Sequence, residues 1–70
     1  MKQLNAEMAG VVVQILVKPG DTLKEGMEIA VLESMKMQIP VTANMAGKVS
    51  KIHVSDGDFI NEGEAILTLD

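Results

Sequence analysis

The 70-residue sequence contains no cysteine, no tryptophan and no tyrosine, and it has one phenylalanine, one histidine and two prolines. Each absence removes a class of answer. Without cysteine, no disulfide or thiolate site can staple so short a chain, and the lone His53 cannot organise a metal centre. The fold must close by regular backbone pairing. With a single Phe as its only aromatic residue, the chain must build its core from Val, Ile, Leu, Ala and Met, which suits thin layers better than the walls of a deep pocket. Size points the same way. A chain of this length exposes roughly 4,200 Å² when folded against roughly 10,900 Å² unfolded, so only about 60% of its surface is buried. An enclosed active site has no room, and the chain is expected not to be an enzyme.

Further absences bear on partners. The six Lys and Arg are outnumbered by ten Asp and Glu, for a net charge of −4, and no basic stripe is present to track phosphates, which argues against nucleic acid as a partner. No apolar run is long enough to span a bilayer and no charged-then-apolar leader is visible, so no membrane association is expected. A cytoplasmic location and a monomeric state are the expectations, the former permitted by the lack of cysteine.

What is present is a repeat. Shifted by 37 positions, Met8–Glu33 aligns with Met45–Asp70 without a gap, matching at 12 of 26 residues. The matched pairs include Gly10 with Gly47, Ile15 with Ile52, Gly20 with Gly57, Gly26 with Gly63 and Leu32 with Leu69. Extended backward, residues 1–33 correspond to 38–70, and Ser34, Met35, Lys36 and Met37 have no copy.

Each half reads as strand, strand, Gly-rich turn, strand. "VVVQILV" and "KVSKIHV" are rich in β-branched residues and run into the turn clusters "KPGD" and "SDGD"; "KEG" and "NEG" precede the short strands "EIAVLE" and "AILTLD". Ile29, Leu32, Met35 and Ile39 also make a helical stripe. The repeat decides against a helix there, because the copy of that segment is too short and too β-prone. Neither half can bury a face alone, so the expected fold is all-β: two small antiparallel sheets packed together with internal pseudo-two-fold symmetry. Val12 and Val49 stand on the wrong parity for a core shared with Ile15, Val17, Ile52 and Val54, so a bulge is expected in each long strand. Asp21 and Asp58 are expected to cap turns rather than bind calcium, and alternation sends His53 to solvent.

The unmatched residues then become the tip of a hairpin, with Met35 and Lys36 central. Tight hairpins favour turns with φ > 0, for which Met and Lys are poor choices at a cost of roughly 1–2 kcal/mol each. A local rule broken once in an otherwise consistent chain points to function.

"ESMKM" at a hairpin between two repeated halves resembles the biotin-attachment motif of the biotinyl/lipoyl domain family, usually written Ala-Met-Lys-Met. The likeness covers the whole chain, 1–70, as a single biotinyl-type carrier domain, and its shortness is similar to that of stand-alone biotin/lipoyl attachment proteins of the biotin carboxyl carrier type. Ser34 departs from the usual Ala, a small-for-small exchange. The resemblance implies a flattened barrel-sandwich with biotin carried covalently on Lys36. Met35 and Met37 would be the flanking positions read by a biotin protein ligase, and the partners would be biotin carboxylase and carboxyltransferase components. The exposed ε-amine can attack an activated acyl adenylate in its neutral form, and the amide formed removes one positive charge, taking the net charge from −4 to −5. Two alternatives stay open. One is a lipoyl carrier on the same lysine, although lipoyl motifs usually place an acidic residue where Met35 stands. The other is an unmodified barrel-sandwich serving as an interaction module.

Overall fold

The β-branched runs do become strands. The computed structural model describes residues 2–70, which form eight strands and no helix: β1 (Lys2–Asn5), β2 (Gly10–Ile15), β3 (Thr22–Leu23), β4 (Glu28–Ser34), β5 (Met37–Thr42), β6 (Gly47–Ile52), β7 (Phe59–Ile60) and β8 (Ala65–Leu69). The helical stripe around residues 27–39 is resolved as the β4–β5 hairpin. The two-residue strands β3 and β7 were not legible in the sequence, because two residues carry no periodicity.

The strands form two antiparallel four-stranded sheets, ordered β1-β8-β6-β3 and β5-β4-β2-β7. This is the expected all-β, flattened barrel-sandwich. Each sheet has a central pair from one half of the chain and edge strands from the other. The registers repeat at the same 37-residue offset: Leu32 pairs with Ile39 as Leu69 pairs with Lys2, and Val11 pairs with Phe59 as Lys48 pairs with Thr22. Pro40, which cannot donate to a ladder, lies in the edge strand β5.

Both long strands are bulged where expected. The register slips between Val12 and Gln14 in β2 and between Val49 and Lys51 in β6. The extra residue returns Val12 and Val49 to the core, at 1% and 2% exposure. A second pair of irregularities lies opposite Ile29 and Ile66 and buries these side chains next to Ala30 and Leu67. Leu4, Leu23, Leu32, Ile60 and Leu69 complete a core to which both halves contribute.

Turn chemistry follows the repeat too. Asp21 Oδ2 accepts the Lys18 N–H at 3.0 Å and Asp58 Oδ2 accepts the Ser55 N–H at 2.8 Å, so both aspartates cap their own turns. Among the described residues no cluster of three or more His, Asp or Glu could hold a metal ion. Asp56 Oδ1 reaches across to the Ile15 N–H at 2.9 Å, a bond that Pro19 at the equivalent place cannot make. His53 is exposed and shares a hydrogen bond of 2.6 Å with Thr68, the one buried polar residue of the core region.

Gly57 tests the turns most directly. Its φ is +93° and nothing lies within 4 Å of where a Cβ would sit, so only backbone strain opposes a side chain there. Its N–H donates to the Val12 carbonyl at 2.7 Å, tying the turn to the bulged strand. Gly57→Ala should therefore lower unfolding stability by about 1–2 kcal/mol, read as a shifted urea midpoint. An unchanged midpoint would show that the turn can be rebuilt at negative φ.

Candidate functional site

The β4–β5 hairpin is built from its base upward. Glu33 pairs with Gln38 and Ser34 with Met37, leaving a two-residue loop of Met35 and Lys36. Strands with right-handed twist are best joined by a turn of the mirror-image type I′, which requires positive φ at both loop residues. Met35 has φ 53° and Lys36 φ 65°, and these are the only non-glycine residues with positive φ among those described. The strain expected from the sequence is thus present at both positions.

Exposure is equally uneven. Met35 is 91% and Met37 64% exposed, while Met8 and Met45 pack against the core. Apolar thioethers turned to water gain nothing for the fold, and soft, adaptable side chains of this kind suit a recognition surface. Lys36 is exposed between them. The structure thus brings the three sequence-predicted residues together on one convex tip.

The base of the hairpin depends on a residue that the sequence reading matched in the repeat but did not connect with the site. A Cβ on Gly10 would lie 2.8 Å from the Glu33 carbonyl oxygen and 3.6 Å from the Ser34 Cβ. The bare backbone of β2 therefore lets the strand close against the last residues of β4 and hold the hairpin upright. At the equivalent Gly47 the nearest atoms belong to the Leu69 side chain, at 3.0 Å. That neighbour can shift; a paired carbonyl cannot.

The two grooves described on the surface lie away from the tip. An open groove of about 540 Å³ lies elsewhere, on the β1-β8-β6 face, lined by Gln3, Ser50, Lys51, His53 and Thr68. A smaller one of about 110 Å³ runs beside Met8, Leu32 and Val41. Neither contains Lys36, Met35 or Met37.

Two packed four-stranded sheets, with one strained hairpin presenting a lysine to solvent, define a small all-β barrel-sandwich. The chain belongs to the biotin/lipoyl family: the family model described as "Biotin-requiring enzyme" matches residues 2–69. Over 40 residues the chain is 58% identical to the alpha chain of mitochondrial propionyl-CoA carboxylase from Homo sapiens, a match covering 57% of this chain and 6% of that protein. It is 48% identical over 40 residues to the biotin/lipoyl attachment protein of Bacillus subtilis, covering 57% of this chain and 55% of that one. Among solved structures it is similar to urea carboxylase from Kluyveromyces lactis, with a TM-score of 0.88 and 28% identity over 99% of this chain and 6% of that chain. The chain therefore matches only a small part of these carboxylases, and about half of the Bacillus protein.

Two substitutions test the geometry of the hairpin. Met35→Asn combined with Lys36→Gly supplies the residues that a type I′ turn prefers, and should raise unfolding free energy by about 1 kcal/mol or more in chemical denaturation. An unchanged value would mean that the native turn stores no strain. Gly10→Ala should destabilise more than Gly47→Ala, because its clash is with backbone; equal losses would remove Gly10 from the support of the hairpin.

Proposed function

We propose that the chain is a biotin carboxyl carrier, with biotin attached through an amide to Nζ of Lys36. The observation that carries this reading is the exposed Lys36 held at φ 65° between two solvent-exposed methionines, in the Ser34–Met37 segment that has no copy in the repeat. A loop that costs stability and buries nothing is retained for what it presents. Membership of a family described as biotin-requiring supports the choice of group.

The tip fits the attachment chemistry. An exposed, unencumbered amine can lose its proton and attack the carbonyl of a biotinyl adenylate; the C–N bond forms, the bond to the adenylate breaks, and AMP leaves. Met35 and Met37 frame the nucleophile with apolar surface that a biotin protein ligase can read. Once attached, biotin supplies a ureido nitrogen that accepts and releases a carboxyl group. The protein contributes rigidity below the tip and freedom above it. A tethered group on a short stem reaches high effective concentration at two separate sites, those of a biotin carboxylase and a carboxyltransferase component. The carrier itself has no catalytic group in this reading. A cytoplasmic, monomeric carrier is part of the same proposal.

The relative in Bacillus subtilis is named for both biotin and lipoyl attachment, so a lipoyl carrier on the same lysine is the second reading. Intact mass after co-expression with active ligases separates them by the increment: biotinyl, lipoyl or none. Lys36→Arg should abolish the increment and streptavidin binding with circular dichroism unchanged, because a guanidinium keeps the charge but stays protonated. Full labelling of the variant at Lys24 or Lys48 would defeat the assignment.

A further inference from the structure

The repeat supplies an internal control for every surface position. On the sheet that carries the hairpin, Val11 lies between Phe59 and Glu33 in one row, and Val31 lies between Gln14 and Pro40 in another. Paired residues share a face, and Val11 and Val31 alternate with the buried Val12 and Leu32, so these rows point outward. Phe59 is 61% exposed, and Val11, Val13 and Leu16 are each about two-fifths exposed. The equivalent residues of the other sheet, 37 positions away, are Thr22 for Phe59, Lys48 for Val11, Ser50 for Val13 and His53 for Leu16. Pro40 likewise corresponds to the exposed Gln3, and Val31 to Thr68, which is buried beneath His53.

At Val11, Val13, Leu16 and Phe59 the same backbone therefore carries apolar side chains where its twin carries Lys48, Ser50, His53 and Thr22, while Gln14, Glu33 and Gln38 keep the margins of the face polar. Folding does not demand apolar residues at these places. Their concentration on a single face points to a contact outside the chain.

Area and position identify the contact. Three strands about 4.8 Å apart and some 20 Å long, with the two-residue β7 at their edge, offer no more than about 400 Å². Two copies meeting there would bury about 800 Å², well short of the roughly 1,200 Å² of a stable interface. The face suits a transient partner that gains further contacts elsewhere. The Val11 row includes Glu33 and Gln38, one step from the Ser34–Met37 pair that closes the hairpin, so the face begins about 10 Å from Lys36. Glu33 and Gln38 lie between it and the hairpin loop, and Met37, one residue on, points to the opposite face of the sheet.

Resting on the carrier reading above, we infer that the outer face centred on Val11, Val13, Leu16 and Phe59 is a docking surface for the biotin protein ligase that acylates Lys36. Nζ stands roughly 6 Å from the lysine Cα, about five bonds of stem. An enzyme whose acyl adenylate must meet Nζ is drawn close enough to the tip for its body to cover the adjoining face. An enzyme acting on the far end of an attached cofactor works at greater reach and has no such need. The complementary ligase surface is apolar, with basic groups at its margin to meet Glu33 on this acidic chain.

The test grafts one face onto the other. Val11→Lys, Val13→Ser, Leu16→His and Phe59→Thr together place on the apolar face the residues that its twin already tolerates. Initial rates of biotin incorporation are measured with purified biotin protein ligase, biotin and ATP across carrier concentrations, with circular dichroism melts and sedimentation on the same samples. The graft should raise KM for the carrier tenfold or more with kcat within twofold. Lys48→Val with Ser50→Val, on the other sheet, should leave both unchanged. Should the fourfold variant fail to fold, Val11→Lys alone should raise KM at least threefold.

An unchanged KM in a folded variant overturns the proposal. So does a wild-type dimer that the graft dissolves, which would assign the face to a second copy. A graft that slows only carboxylation of the already biotinylated chain would assign it to the carboxylase and overturn it equally. If the wild-type chain gains no biotinyl mass at all, the carrier reading itself fails and the docking proposal falls with it.

Discussion

The structure depends on an exchange of edge strands between two equivalent halves. Strands β2 and β4 from the first half are flanked by β5 and β7 from the second, and β6 and β8 are flanked by β1 and β3. A half of 33 residues could form a bare hairpin but could not cover it, and isolated hairpins are marginal in water. Interleaving gives each central pair two neighbours and closes one core from both halves, with Leu4, Leu23, Val12 and Leu32 meeting Ile60, Val49, Leu67 and Leu69. With no cysteine and with its one aromatic residue, Phe59, exposed, the chain relies on this topology to close its core. The folded surface of 4374 Å² is close to that expected for a chain of this mass.

Such an exchange produces rigidity where the hairpin needs it. Its base is held by the Glu33–Gln38 and Ser34–Met37 pairs and by the close approach of Gly10, so the strain at Met35 and Lys36 is confined to two residues. The rest of the fold contains left-handed backbone only at Gly20, Gly26, Gly57 and Gly63, where it is nearly free of cost. Strain located at one exposed tip, with all other turns relaxed, is the pattern of a body built to present that tip.

Symmetry in the backbone is accompanied by asymmetry in the side chains, and the differences are where function can be read. Pro19 stands where Asp56 makes a cross-strand bond, and Leu16 where His53 meets Thr68. Val11, Val13, Leu16 and Phe59 stand on one outer face where Lys48, Ser50, His53 and Thr22 stand on the other. Duplicated halves share the demands of folding, so positions that differ between them without consequence for the core report on demands from outside.

Much of this was legible in the chain itself. The repeat, the bulges required by the parity of Val12 and Val49, the capping aspartates, and the unmatched Ser34–Met37 segment all follow from residue spacing, because β-structure has a period of two and a departure from it is visible. The exposed lysine between methionines could be singled out for the same reason: it breaks a turn rule. Three things could not be read. Strands β3 and β7 are two residues long and have no period. The pairing of each central pair with edge strands from the opposite half joins residues far apart in sequence, and nothing local records it. The approach of Gly10 to the Glu33 carbonyl, and the gathering of Val11, Val13, Leu16 and Phe59 on one face, exist only once that exchange has been made. The sequence by itself determined which residues point inward and which segment stands apart; the tertiary structure alone decided which strands are neighbours, since burial of a shared core, and no local preference, selects among the possible pairings.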